Sequence, residues 1–177
     1  EYLLAFHKPA GIVCTTSKID KNNVIDYLNF PERIYPVGRL DKESTGLLLL
    51  TNNGQLMDDI LRGSNYHEKE YIVHVNKPIT DSVLQAMAQG VPILDTITRP
   101  CKIRRMGKDC FYITLTQGLN RQIRRMCEYF DYRVTSLKRI RIMNIELGSL
   151  PVGKWRELTP SEIKTLKNLA QNKGEAE

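Results

Sequence analysis

A chain of 177 residues, 41% hydrophobic and 26% charged, has the composition of one globular domain or of two small ones sharing an interface. It is too apolar for disorder and long enough to bury about two-thirds of its unfolded surface without metal or disulfide staples. No apolar run approaches the ~20 residues that span a bilayer. The net charge of +6 is unevenly placed. From Arg99 to Arg141 twelve Lys or Arg meet three acids (Asp109, Glu128, Asp131), a net +9 that leaves −3 for the remainder. Such a patch points to a polyanion partner, with a merely solvated basic face as the alternative. Glu1 to Leu4 carries neither the basic nor the long apolar stretch of a leader, and Cys14, Cys101, Cys110 and Cys127 form no zinc-ligand spacing with His7, His67 or His74. The cysteines read as reduced, buried small side chains of a cytoplasmic protein.

In chain order, a β-prone stretch from Tyr2 to His7 ends at the turn Lys8-Pro9-Ala10-Gly11, and Asn22–Asn29 has helical spacing closed by Pro31. Because the chain opens in mid-strand, a piece of a longer protein is expected. An extended segment Ile34–Val37 leads through Gly38-Arg39-Leu40-Asp41 to the apolar strand Leu47–Thr51. Leu56, Met57, Ile60 and Leu61 form the stripe of a helix stopped by Gly63. A strand follows over Glu70–Val75, then a helix capped by Thr80 and ended by Gly90, then paired strands Cys101–Arg105 and Phe111–Thr116. Asn120–Phe130 is helical and Lys138–Leu147 reads as one strand. Thr159-Pro160-Ser161-Glu162 is a capping box opening a helix to about Gln171, and the tail Lys173–Glu177 is expected to fray. The pattern is α+β, a mixed and largely antiparallel sheet flanked by helices.

Asp41 sits in a polar loop bracketed by Gly38 and Gly46, directly before the most apolar strand, which is how a reactive carboxylate is held over a rigid scaffold. A solvated turn aspartate is the plainer reading, and an acid–base pair with Glu43 is a further one. On the Asn120–Phe130 helix, ~100° steps from Ile123 place Met126, Cys127 and Phe130 on the core face and Arg121 and Arg125 opposite, available to phosphates. Arg124 falls beside the apolar stripe and calls for a carboxylate partner. Tyr71 opens a strand where it fills the rim of a core or stacks on a base. Alternation puts Arg139 and Arg141 on one strand face, which with Lys102, Arg104 and Arg105 would make a basic sheet surface. No phosphate loop, dinucleotide fingerprint or metal cluster is present, so no cofactor is expected.

Taken in series, His7-Lys8-Pro9-Ala10-Gly11, Gly38-Arg39-Leu40-Asp41 with Gly46-Leu47-Leu48, Lys69-Glu70-Tyr71 and Gly118 through Met126 resemble the RNA pseudouridine synthases, in the branch that modifies ribosomal RNA. The likeness runs from Leu3 to about Leu166. The stretches 90–94 and 120–128 are most similar to the F type of the large-subunit enzymes, with the B and E types near. The resemblance implies the pseudouridine synthase fold over 1–177, with a central cleft between subdomains of about 1–66 plus the C-terminal part, and 67–147. It also implies an S4-type RNA-binding domain upstream of this chain. It further implies isomerisation of uridine to pseudouridine in large-subunit (23S) ribosomal RNA, with tyrosine tRNA as a second substrate, by a monomer without cofactor or metal. By the same likeness Asp41 attacks or deprotonates the ribose, Tyr71 packs on the uracil and serves in removing the C5 proton, and Arg124 pairs with Asp41. Arg39 displaces the target base; Lys8, Asn120, Gln122, Arg121, Arg125, Arg139 and Arg141 complete the expected RNA-binding set. A non-catalytic RNA-binding module of ribosome assembly is the other reading of the basic face, and a glycosidase or nuclease built on Asp41 and Glu43 a third.

Overall fold

The computed structural model of the protein describes residues 1–62 and 65–171. The elements are β1 (Leu3–Lys8), α1 (Val24–Leu28), β2 (Tyr35–Pro36), β3 (Thr45–Thr51), α2 (Gly54–Leu61), β4 (Lys69–Val75), α3 (Asp81–Gln89), β5 (Pro92–Ile93), β6 (Thr96–Ile97), β7 (Lys102–Gly107), β8 (Cys110–Leu115), α4 (Gln122–Tyr129), β9 (Val134–Ile142), β10 (Ile145–Glu146), β11 (Trp155–Glu157) and α5 (Pro160–Gln171). One mixed sheet runs β11-β1-β3-β9-β4-β8-β7, with β2 added to β3 and β10 to β9, while β5 and β6 form a separate hairpin. Among the strands named here, only β3 and β9 pair in parallel, with one isolated parallel bridge between Val13 and Asn23 outside them. The α+β expectation is met.

Burial explains the elements. Leu47 to Leu50 of β3 are wholly buried because helices cover both faces of this strand, and a strand covered twice needs an unbroken apolar run. Leu47 and Leu49 pack with Leu56 and Ile60 of α2 and Leu166 of α5, while Leu48 and Leu50 join Phe6, Val24 and Leu40 on the other side. A third apolar cluster unites Val73, Phe111 and Ile113 with Met87 of α3 and Met126 and Cys127 of α4. The helix starts follow their caps: the side chains of Asn23, Asn53 and Thr80 each accept a backbone N–H from the first turn. Cys14, Cys110 and Cys127 are buried and Cys101 partly so, all unpaired; burial pushes the thiols of Cys101 and Cys127 up to about 11 and about 12.

Three features depart from the sequence reading. The single strand expected over Lys138–Leu147 is two: β9 ends at Ile142, Met143 turns in the left-handed region (φ 52°), and β10 doubles back to pair Ile145 with Ile142. The β5–β6 hairpin turns on Leu94 and Asp95, both at positive φ, without the Asn-Gly that signals such a turn. β11 is three residues long, too short for alternation to register. The expected helix stop at Gly63 and the tail Lys173–Glu177 lie outside the described residues.

Gly46 fixes the parallel join. It pairs with Arg139 at φ +107°, and a Cβ there would lie 2.2 Å from the Arg139 carbonyl oxygen. Gly46→Ala is therefore expected to cost at least about 2 kcal/mol, from strain plus backbone collision; a lowered urea midpoint at constant m checks it. At the other end, the capping box forms as expected: Thr159 N–H donates to Glu162 Oε1 (2.8 Å) and Glu162 N–H to Thr159 Oγ1 (3.1 Å). Arg156 donates to both Glu162 oxygens (2.7 and 2.9 Å) and, with Thr159, holds that carboxyl down at about 2. A depressed carboxyl stabilises the fold above its ordinary value of 4.5 and loses that contribution as pH falls toward 2. Glu162→Gln should be less stable than wild type at pH 7, with urea midpoints that converge between pH 4.5 and 2.

Candidate active site

The loop before β3 is held from beneath by Lys8. This lysine is fully buried, and its ammonium donates to the carbonyls of Pro9 (2.9 Å), Lys42 (3.1 Å) and Ser44 (2.7 Å). Gly11 N–H bonds Lys42 O (2.7 Å) as well, so the first turn of the chain and the loop are stitched together. Burial draws the Lys8 pKa down, while Cys14, Glu43 and Asp41 pull it back. The RNA-binding role expected for Lys8 is corrected on this geometry: a buried ammonium with three carbonyl partners supports the loop and has no route to a phosphate. Leu40 is buried in the core and its N–H meets Cys14 Sγ (3.4 Å), and Ser44 N–H closes a turn on Asp41 O (3.0 Å). Asp41 thus projects from a loop fixed on both sides.

Arg124 reaches this carboxylate from α4. Its Nε donates to Asp41 Oδ2 (3.1 Å) and its Nη2 to Ser44 Oγ (3.1 Å), with only 12% of the side chain exposed. The partner anticipated for an arginine beside the apolar stripe is Asp41. Ile123, Met126 and Cys127 are buried as the wheel requires. Arg121 departs from it. The helix begins at Gln122, and Arg121 is its N-cap at φ 49°, so helical stepping does not apply and the guanidinium turns toward Asp41 Oδ2 (3.5 Å) and Glu43 Oε2 (3.8 Å). Glu43 is exposed; its own backbone N–H, then Arg121 and Arg124, hold its carboxyl below the usual range. A general acid needs the opposite shift, so the Asp41–Glu43 acid–base pairing is not supported.

The remaining candidates divide. Arg39 is exposed at the cavity rim, with no hydrogen bond or ion pair among the described residues. Arg125 spends its guanidinium on Asn120, to O and Oδ1 at 2.9 Å each, bracing the turn before α4. Gln122 is buried; its Oε1 accepts Leu119 N–H (3.1 Å) and its amide meets Gln117 (3.4 Å), which ties the same turn and removes it from any exposed RNA-binding set. Arg139 and Arg141 do not share a face. β4 pairs Glu70 with Arg141 but the next residue, Tyr71, with Arg139, so Ile140 is a bulge that sends the two arginines to opposite sides. Arg141 bonds Glu70 and Glu68 (3.1 Å each), whereas Arg139 is 3% exposed and donates Nε to Leu47 O (2.8 Å). Lys102 pairs with Glu68 and Arg105 with Asp81, so the expected basic sheet surface is largely neutralised.

Asp41, Arg121, Arg124, Tyr71, Lys69 and Arg139 line one cavity of about 910 Å³, within the range of small-molecule pockets. Tyr71 packs against two of the apolar clusters, which fixes its ring in the wall. Arg99 also lines it, donating Nη1 to Thr116 O (2.8 Å) and lying over the Tyr66 ring (3.7 Å). Sequence reading missed Lys69, Ser44 and Arg99. Strand alternation could have found Lys69, two positions from Tyr71; nothing local marks Arg99.

Residues 2–129 match the family model for RNA pseudouridylate synthases. A dual-specificity RNA pseudouridine synthase RluF of Salmonella typhi is 54% identical over 169 residues, covering 96% of this chain and 58% of that protein. The Bacillus subtilis ribosomal large subunit pseudouridine synthase B is 34% identical over 94% of this chain and 71% of its own length. A crystal structure of a pseudouridylate synthase superposes with a TM-score of 0.85 at 31% identity, over 93% of this chain and 73% of that one. The chain belongs to the RNA pseudouridylate synthase family, and its fold is the pseudouridine synthase fold. It spans about three-fifths of the length of the RluF relative.

Arg124→Leu should cut turnover by about 10²-fold or more, because it frees the carboxylate from its clamp, while Arg125→Leu leaves turnover within about threefold and lowers the salt slope of RNA binding by at most one phosphate contact. Single-turnover rates and salt-titrated filter binding measure both; equal losses of turnover would mean that the two arginines play the same part.

Proposed function

We propose that this chain isomerises uridine to pseudouridine in RNA, with large-subunit ribosomal RNA as the main substrate and tyrosine tRNA as the second, acting as a cytoplasmic monomer. The observation that carries the reading is Asp41, clamped on one oxygen by Arg124 and Arg121 at the wall of a cavity that Tyr71 also lines. Oδ2 takes both arginines, and among the described residues Oδ1 accepts no hydrogen bond, so it is the oxygen offered to a ribose. The target nucleotide leaves its stack at a cost of roughly a few kcal/mol, with Arg39 at the rim placed to hold the gap it leaves. Asp41 attacks C1′ or takes the C2′ proton, and the C1′–N1 pair departs with the base. The uracil turns against the Tyr71 ring and C5 bonds to C1′, which releases the Asp41 oxygen from C1′ or, after C2′ deprotonation, goes with return of that proton to C2′; the C5 proton is then lost and N1 takes one up. In this reading the two halves meeting at the cavity are subdomains, 1–66 with the C-terminal part and 67–147. A purely RNA-binding module would have no use for a carboxylate clamped inside a basic pocket, where it repels phosphate.

Tritium release from C5-labelled large-subunit RNA transcripts tests this. Wild type should release tritium while Asp41→Asn releases none and binds the RNA within about threefold, since asparagine keeps the volume and loses the charge. Release by Asp41→Asn at the wild-type rate would refute the assignment, as would RNA bound by wild type without release.

A further inference from the structure

Two of the cations that line the cavity, Lys69 and Arg139, have no ion-pair partner among the described residues. β4 alternation puts Lys69 on the same face as Tyr71, about 7 Å along the strand, and both line the cavity. The neighbouring carboxylates, Glu68 and Glu70, are taken by Arg141, and Glu68 by Lys102 as well. Among the described residues Lys69 has no hydrogen-bond acceptor and no ion-pair partner. Arg139, opposite Tyr71 on β9 and also in the cavity lining, is 3% exposed, with one nitrogen on Leu47 O and its Nη2 buried without a partner among the described residues. A structural lysine or arginine held inside a protein is normally paired, because an unpaired buried cation is costly. Two cations without an acidic partner in one cavity lining are a site for an anion or for carbonyl oxygens that acquire negative charge.

The proposed reaction creates such a charge. Whichever way Asp41 acts, the C1′–N1 bond breaks with its electron pair on the base, and that charge spreads from N1 to O2 and O4 of the detached uracil. Asp41 is negative and cannot hold it. We propose that Lys69, backed by Arg139, is a further catalytic residue, donating hydrogen bonds to the uracil carbonyl oxygens as the base leaves. The lysine keeps its three protons throughout. Transfer of one to N1 would quench the charge that makes C5 nucleophilic, so a donor that binds without releasing its proton suits the second bond. This inference rests on the isomerase reading and adds to it the group that stabilises the leaving base.

Lys69 must be charged for this role. Burial, then Arg139, draw its pKa down to about 8. Of the charged groups around the cavity, Arg39, Lys42, Arg99, Arg121, Arg124 and Arg139 carry charge that opposes its proton, and Asp41 and Glu43 charge that favours it. The kcat/KM of wild type should therefore fall as pH rises through about 8.

Lys69→Met and Lys69→Arg, compared with wild type on uridine RNA and on RNA carrying 5-fluorouridine at the target, test the proposal in single turnovers. Fluorine withdraws charge, so its uracil anion needs less help to leave. Lys69→Met should slow uridine turnover about 10²-fold, as loss of one oxyanion donor does, but slow consumption of 5-fluorouridine at least about fivefold less, with RNA affinity and urea midpoint little changed. Lys69→Arg should keep most of the rate and lose the decline above pH 8. Equal slowing of the two substrates by Lys69→Met, an undiminished rate, or an alkaline decline that persists in Lys69→Arg would overturn the role of Lys69. Wild-type turnover in the same reactions separates that result from failure of the isomerase reading, in which neither substrate would react.

Discussion

The site depends on a parallel seam only two residue pairs long, Thr45 with Lys138 and Gly46 with Arg139. Every other pairing among the described strands is antiparallel and could form within one half of the chain or at its edges. The seam alone lays β3, with its own two apolar clusters, against β9, which belongs to the sheet of β4 and β8. It ends the Asp41 loop at the point where α4 can reach it. It also needs a residue without a Cβ, since the Arg139 backbone occupies that space. The glycine at position 46 is thus a condition of the cavity as well as of the strand.

Charge is arranged around the same seam. The segment from Arg99 to Arg141 is strongly basic, yet much of that charge is spent inside the fold: Arg105 on Asp81, Lys102 and Arg141 on Glu68, Arg125 on a backbone carbonyl and an amide. Of what remains, Arg99, Arg121, Arg124 and Arg139 line the cavity. Arginines flank Asp41, and Lys69 and Arg139 line the same cavity without an acidic partner among the described residues. A carboxylate beside cations that lack acids is matched to the proposed reaction, in which a neutral nucleoside separates into an electron-poor sugar and an electron-rich base.

Much of this was legible in the sequence. Long, strongly patterned elements such as β3, α3, α4 and α5 stand where apolar periodicity and caps put them, and the apolar stripe of α4 singled out Arg124 as the arginine needing an acid. What could not be read has definite causes. Met143, Leu94 and Asp95 turn the chain in the left-handed region without glycine. The bulge at Ile140 inverts the faces of Arg139 and Arg141, and a bulge depends on the partner strand. Arg121 escapes the helical wheel because the helix starts one residue later. Lys8, charged and close to a turn, resembles a surface lysine until the carbonyls of residues 42 and 44, distant in sequence, are seen to surround it.

The most direct measurement is a crystal structure of this chain bound to an RNA stem-loop carrying 5-fluorouridine at the reactive position. The arrangement described here predicts the fluorinated base out of its stack and inside the cavity, against the Tyr71 ring, with Asp41 Oδ1 at the ribose C1′ or C2′ and Lys69 Nζ on a base carbonyl oxygen. A base left in the helix, or one held elsewhere with Asp41 still closed on its arginines and remote from any ribose, would contradict it.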